Sequence, residues 1–565
     1  MLVTDTMRIK KLLVRSLEDA DVVRVKEIIE DDSNQAGLEE EAMDLVTLVC
    51  GYLTQETQEA LPHVTSCCED VLAALARLGN PKELLMAQME QLDSFQHPCQ
   101  VVSILPSLAT VLTRVKLSNM SVSWSWALNT VTCHLRTVAT PANMGLEGVE
   151  RITLEQTGEA GECLQLCEAC VAMSEPLVNI IETHSEEEEG DNRHRRTVLT
   201  NFLLSVLPPL STLPQHPQTD SRGSLVHPSS TDVCSRLVTL LYRVTRDIWT
   251  NILNFPESPE RKLLCDDSVD GVSVPMVLYL VLVEEMCFDQ VPSVFLHSHI
   301  LRTASPHIIT LLKSNNQEQV YKGLLLFDKL LTRISPESLT KESVEDPNLV
   351  LLISPLVTVT VYHDVEEGRK LGFLCFSKFV GIWDLAARSR VYHHLLNTIN
   401  HSGLLGWTIT SLKDSVLRSI KAPEMLESYS GSQFKKLVEP LLKLKHGAET
   451  DLLEISDELI STIGLVRVLL GFDKANKTGI LDLRDTISSW VDDITKGLQL
   501  SVAHYEQKLT EPIDTGEVGG PEFGVSVGGR QLPVMEPGKM REVISGALNT
   551  FSLIQFNLGM LKDLL

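Results

Sequence analysis

The sequence predicts an all-α protein made of irregular HEAT- or armadillo-like helical repeats, forming an elongated solenoid of two regions. Three observations carry this expectation. Leucine-rich segments with apolar residues three or four apart recur along nearly the whole chain, whereas period-two alternation is scarce. Leu324, Leu325, Phe327, Leu330 and Leu331 show the helical period, as do Leu452, Leu453, Ile455, Leu459, Ile460 and Ile463. Aromatic residues are only 5% of the total, which suits layers packed through many small aliphatic contacts. Helix starts placed near Gln317, Glu366, Ser402 and Ala448 are about 49, 36 and 46 residues apart, bracketing the roughly 40–47 of a HEAT or armadillo helix pair. No crisp repeat consensus accompanies them, so an irregular helical bundle stays open as the alternative.

The chain has 565 residues, 43% of them hydrophobic, enough for a large core. Its 49 Lys and Arg against 75 Asp and Glu leave a formal charge of −26. That balance disfavours broad phosphate-backbone binding and attachment to anionic membranes, both of which need clustered cations. The longest strongly apolar run, Val272 to Val283, contains Pro275 and is shorter than the ~20 residues of a bilayer span, so it reads as a buried core helix. The basic residues Arg8, Lys10 and Lys11 interrupt the N-terminal stretch where a signal peptide would need an apolar run. A soluble, cytoplasmic, monomeric protein is expected. The spacing of the 12 cysteines shows no disulfide framework, and reduced, buried thiols are the expectation.

Breaks divide the chain. Glu186 to Glu189, followed by Gly190, Asp191 and three arginines, reads as a solvated loop near 184–196. Pro208, Pro209, Pro214, Pro217 and Pro228 predict a second loop over 208–232. Pro256, Pro259 and the acidic Asp266, Asp267 and Asp270 mark the expected boundary between an N-terminal helical region, 1–255, and a C-terminal HEAT-like region, 266–565. Within the latter a Gly/Pro-rich loop, 511–538, holds a possible hairpin around Gly528-Gly529. A closing amphipathic helix, 539–564, follows, its apolar face formed by Val543, Ile544, Leu548, Phe551, Ile554 and Leu558.

The motifs that carry chemistry fail in their contexts. Gly524-Val525-Ser526-Val527-Gly528 matches a nucleophile elbow, but no histidine follows Ser526, and Pro533 and Pro537 stand where the helix should run. Gly471 to Thr478 is a near miss to a P-loop, with Asn476 in place of the second glycine; a polar loop after a helix ending near Leu470, with Gly471 as its left-handed cap, fits better. Cys163, Cys167 and Cys170 share one helix face with Leu166 and read as a buried stripe, since zinc needs a fourth ligand and paired knuckles. His297, His299, His393 and His394 lack a metal-binding pattern and default to surface or cap positions. No constellation supports an enzyme, a cofactor or a metal.

Several stretches resemble the glomulin family of helical-repeat regulators of cullin–RING ubiquitin ligases. The clearest run from Leu395 to Gly403 and from Gly447 to Leu453; weaker echoes are Asn80 to Leu85, Lys322 to Leu324, Ala503 to Glu506 and the Val525 to Pro533 turn. The resemblance implies a C-terminal region that grips the RING subunit of the ligase, with its attached cullin. It also implies a cover over the surface that recruits the ubiquitin-conjugating enzyme, and so a stoichiometric, non-catalytic inhibitor. Any zinc in such a complex belongs to the RING partner. Within the matching strings, Asn397, Ser402 and Thr450 suit helix caps, while His401, Glu449 and Asp451 are the polar candidates for partner contact, with His504 and Tyr505 as a further pair. The alternative is a general HEAT/armadillo scaffold or adaptor binding other proteins along a groove.

Overall fold

Proline starts helices in the first part of this chain rather than ending them. Pro62, Pro81 and Pro98 are the first residues of helices Pro62–Leu78, Pro81–Ser94 and Pro98–Arg114. The first helical position has no intrahelical N–H bond to lose and its φ matches the proline ring. Asn80 completes one such start, its Oδ1 accepting from the Lys82 N–H at 3.0 Å.

The computed structural model describes residues 2–141, 145–156, 158–183, 189–253, 264, 269–510, 526–527, 530–531 and 537–565. They are helical apart from turns and two short antiparallel hairpins, Gln218–Thr219 with Leu225–Val226 and Ser526–Val527 with Arg530–Gln531. The second hairpin flanks positions 528–529, where the sequence predicts a Gly-Gly turn. The chain divides into two compact units, Met1–Leu330 with Asp364–Gly368, and Leu331–His363 with Arg369–Leu565. The break at 256–270 read from the sequence falls inside the first unit.

The first unit is a two-layered helical repeat. One layer stacks Val22–Glu30, Pro62–Leu78, Pro98–Arg114, Gly158–Thr183 and Ser230–Thr245; the other stacks Ala42–Cys50, Pro81–Ser94, Leu117–Thr137 and Glu189–Ser205. Aliphatic residues fill the space between the layers, among them Leu72, Leu75, Leu105, Leu108, Val131 and Leu203, all inaccessible to solvent. Each such side chain contributes about 1.5–3 kcal/mol by leaving water. Helix 158–183 is long and apolar enough to cross a membrane by composition, but it packs between helices 98–114 and 230–245. Its Cys163, Cys167 and Cys170 are buried, as expected for a small-residue stripe, and burial pushes the Cys167 and Cys170 thiols up.

Two expected loops differ from the sequence reading. Positions 184–188 lie outside the described residues, but 189–196 form the first turns of helix Glu189–Ser205, drawn in by the buried Leu199, Phe202 and Leu203. Between Pro208 and Asp232 the chain makes a short helix, Leu207–Ser211, the first hairpin, and the start of helix 230–245. This segment is held by buried polar groups. Lys322, itself buried, donates from Nζ to the Ser211 carbonyl at 2.6 Å and to the Leu213 carbonyl. Gln319 Nε2 donates to Ser211 Oγ at 2.6 Å. The Glu155 carboxylate accepts from the Ser229 and Ser230 N–H groups at 2.6 and 3.2 Å. Nearby, Arg151 forks onto Glu318 at 2.8 and 2.7 Å and stacks over the Tyr321 ring. A proline-rich stretch satisfies its carbonyls this way because it lacks the N–H groups to do so with itself.

The second unit contains Ile353–Tyr362, Leu385–Thr398, Ser402–Lys421, Ser456–Phe472, Arg484–Thr510 and Pro537–Lys562, with most of helix Glu366–Gly381. Helix starts at Gln317, Glu366 and Ser402 agree with the sequence. The start near Ala448 does not: a single 3-10 turn, Gly447–Glu449, stands there, and the α-helix begins at Ser456. Side chains compete with the helix at that point. Thr450 Oγ1 accepts from the His446 N–H at 3.1 Å, and Asp451 Oδ1 accepts from the Leu453 and Glu454 N–H groups at 2.9 and 3.3 Å. The closing helix runs Pro537–Lys562 and buries Ile544, Ala547, Phe551, Ile554 and Leu558. Among the described residues both units are all-α, and the first is a two-layered helical repeat.

Candidate interaction surface

The candidate residues of the second unit gather around the connection 446–458 and the helices it joins. His401 is the N-cap of helix 402–421, and its Nδ1 accepts from the Leu404 N–H at 3.4 Å. Ser402 caps too, but not its own helix: its Oγ accepts from the Glu458 N–H at 3.1 Å, closing the first turn of helix 456–472. The two helices touch where Gly406 lies against Asp457; a Cβ there would meet the Asp457 carbonyl oxygen at 2.8 Å and its carbon at 3.0 Å. The Glu458 carboxyl, half-buried at this junction, is raised above the usual range by burial, with Lys445 opposing. Asn397 does not cap; its Nδ2 donates to the His393 carbonyl at 2.8 Å.

The 447–449 turn sits on helix 484–510, where a Cβ on Gly497 would lie 3.1 Å from the Ala448 carbonyl oxygen. Glu449 and Asp451 are exposed there. Further along that helix Tyr505 meets Phe551 edge-on, ring centres 5.4 Å apart, and His504 at 5.7 Å. Burial, then the Asp451 charge, raise the Tyr505 hydroxyl. The structure therefore brings Asp451, Tyr505 and His504 into one neighbourhood, with Glu449 on the adjoining turn. His401 stands apart from them, at the start of helix 402–421 beside Ser402.

Sequence reasoning missed the apolar part of this surface. Helices 484–510 and 537–562 run antiparallel, since Tyr505 meets Phe551 while Arg484 donates to the Leu564 carbonyl at 3.0 Å. Leu500 and Phe556, each five residues from the Tyr505–Phe551 contact, therefore stand at the same height, 59% and 65% exposed. Leu553 is half exposed beside Phe556. The signal was present as a second apolar series, Leu553, Phe556 and Met560 at i, i+3 and i+7, offset from the buried one. Large exposed side chains bordered by Glu449 and Asp451 suit a protein partner that is apolar at its centre and basic at its edge.

The P-loop near miss has no room for phosphate. Its amides are already taken, the Asp473 carboxylate accepting from the Lys477 and Thr478 N–H groups at 2.8 and 2.7 Å and from Thr478 Oγ1 at 2.6 Å. Gly471 is not a left-handed cap; helix 456–472 continues through it, and Asn476 and Gly479 hold the positive-φ positions instead. Among the described residues no three His, Cys, Asp or Glu side chains converge as a metal site.

The family model described as "Uncharacterised protein family, YAP/Alf4/glomulin" matches residues 4–213. Glomulin of Mus musculus is 28% identical over 573 aligned positions, covering 98% of this chain and 92% of the mouse protein. Glomulin of Homo sapiens is 26% identical over 567, again covering 98% and 92%. The chain is thus similar to the YAP/Alf4/glomulin family over residues 4–213 and to two glomulins along nearly its whole length. Solved structures similar to it include an engineered protein, 10% identical, covering 94% of this chain and 99% of that one at a TM-score of 0.30. Another is the karyopherin Kap121p bound to the extreme C-terminus of the phosphatase Cdc14p, 12% identical, covering 97% and 65% at a TM-score of 0.22. Both glomulin alignments extend far beyond residue 213 and so include the second unit with its exposed surface.

Proposed function

We propose that this chain is a non-catalytic regulator that binds the RING subunit of cullin–RING ubiquitin ligases through its C-terminal region, 266–565, and blocks docking of the ubiquitin-conjugating enzyme. The observation that carries the reading is the similarity to two glomulins along almost the entire chain. The physical form supports it. A helical repeat offers an extended, preformed surface, and steric blockade needs only overlap and affinity concentrated in a few anchors. Leu500, Leu553 and Phe556 supply candidate anchors, and His401, Glu449, Asp451, His504 and Tyr505 the polar surroundings. The charge of −26 speeds encounter with a basic partner surface. On this reading the protein acts in the cytoplasm as a monomer, without cofactor.

Ubiquitin transfer by a purified cullin–RING complex, titrated with the full chain, tests the proposal. Transfer should fall to near zero at one chain per complex. Unchanged transfer at saturating chain would overturn it and favour the general adaptor.

A further inference from the structure

The closing helix carries a stretch unlike the rest of the chain. From Val543 to Leu561 no residue is charged, whereas Asp, Glu, Lys and Arg make up 22% of the whole sequence. One side of the stretch packs inward through Ile544, Ala547, Phe551, Ile554, Leu558 and Leu561. On the other side Ser545, Gly546, Asn549, Ser552, Leu553 and Phe556 are exposed, at the three- and four-residue spacing of a single helix face. Among the described residues no atom lies within 4 Å of a Cβ built at Gly546 or Gly559, so nothing covers this face. A solvated helix face normally holds the charges. A face without them has the composition of an interface centre, where charged side chains are scarce.

The charges at the two ends of the stretch select the occupant. Arg541 and Glu542 precede it, Lys562 and Asp563 follow it, and all four are exposed. Two copies of this helix, laid in opposite directions and centred on Ser552, bring Arg541 opposite Asp563 of the second copy. The same register sets Glu542 opposite Lys562 of the second copy. Laid in the same direction, like charges would face each other at both ends. In the opposed register the small Ser552 side chains meet at the centre, and Phe556 falls over the Ser545 to Asn549 turn of the second copy, where Gly546 leaves room. Neither sign prevails beside the face. Helix 484–510 contributes Asp492 and Glu506 against Lys496 and Lys508, helix 456–472 adds Arg467, and Glu449 and Asp451 stand near Tyr505. Elsewhere two chains of formal charge −26 repel, so the uncharged face is where copies can meet.

We infer that the closing helix is a self-association surface, through which two copies pair in opposite directions as a symmetric dimer. One helix pair about 30 Å long is small for a specific interface, so the dimer is weak, with a Kd on the order of 10 μM. The dimer covers Leu553 and Phe556. It is therefore an idle form and the monomer the active one, a consequence that rests on the RING-binding reading, whereas the self-association itself does not.

Sedimentation equilibrium of the full chain, from about 1 to about 100 μM, reads the association directly. A monomer–dimer equilibrium is expected, tighter at about 0.3 M salt than at about 0.05 M, because screening relieves the repulsion between two acidic chains. Leu553→Asp together with Phe556→Asp should abolish it. Both side chains are exposed, so circular dichroism should show that variant folded. Arg541→Glu should weaken the dimer about fivefold, and adding Asp563→Arg should restore it. At about 1.5 Å per residue those two positions lie about 33 Å apart along the helix, so rescue can arise only between copies. A chain still monomeric at about 100 μM in both salts, a dimer untouched by the two Asp changes, or a charge swap that fails to restore it would each overturn the proposal. None of these readings uses ubiquitin transfer. A dimer without inhibition, or inhibition without a dimer, removes one account and leaves the other standing.

Discussion

The two units solve the same packing problem with different interiors. The first buries ionisable groups: Lys322 against backbone carbonyls, Arg151 with Glu318, Glu155 beneath the start of helix 230–245, and His307. The second confines most of its ion pairs to the surface, such as Arg418 with Glu337 and Lys435 with Asp482. Its buried polar contacts are mixed: Tyr392 meets Ser411 and Ser415, and the buried Asp473 carboxylate accepts from Thr478. A proline-rich segment passes through the first unit and is held there by the buried Lys322 and Glu155. Stability in the first unit should therefore hang on a few charged residues and on pH, and in the second on backbone fit.

The largest expected effect is from Lys322→Met. It leaves the buried Ser211 and Leu213 carbonyls without their donor, at about 1–3 kcal/mol each. Peptide-resolved hydrogen exchange should show faster opening of helices 207–211 and 230–245 while helices 402–421 and 456–472 keep wild-type protection.

Alkaline titration should separate the units next. Burial raises the thiols of Cys50, Cys68 and Cys234 from 9.0 to about 12. Above pH 9 the unfolded chain ionises and the folded chain does not, so each contributes a loss of about 1.4 kcal/mol per pH unit until pH approaches 12. Lys322 acts in the opposite sense: burial lowers it from 10.5 to about 8, so between those values the unfolded state holds more protons and stability rises with pH. The thiols outnumber it. Exchange in the first unit should accelerate from pH 9 before that in the second, and equal acceleration in both would remove the distinction.

In the second unit Gly406→Ala should cost about 1–3 kcal/mol, because the new methyl meets the Asp457 backbone rather than a movable side chain. Ser402→Ala should cost about 1 kcal/mol through the uncapped Glu458 N–H. Both are measurable as faster exchange at the start of helix 456–472. If neither changes it, the junction between those helices is not the constraint described.

Much of this architecture is legible in the sequence where the apolar period is strong. The starts at Gln317, Glu366 and Ser402 and the core of the closing helix follow from leucine spacing alone. Misreadings occur where local polar chemistry competes with that period. Thr450 and Asp451 look like first-turn residues but bind amides that a helix at Ala448 would need. Gly471 looks like a stop signal, yet the apolar contacts of Leu469 and Leu470 carry the helix past it. Proline density at 208–232 correctly announces the absence of a long helix, but not that Lys322 and Glu155, distant in sequence, bury the segment. Of the candidate surface, the short matching strings draw attention to His401, Glu449 and Asp451, with His504 and Tyr505. Leu500 and Phe556 were not legible, because an outward-facing apolar residue is recognised only once the buried face is known.

The most direct test of the RING-masking account is competition. The full chain is titrated, at two salt concentrations, into a purified cullin–RING core carrying a fluorescent ubiquitin-conjugating enzyme. The account predicts one-to-one displacement of the enzyme, weaker at higher salt and lost when Leu500 and Phe556 are changed together to Asp. Tight binding of the chain with the conjugating enzyme still in place, or displacement untouched by the Leu500 and Phe556 changes, would contradict it.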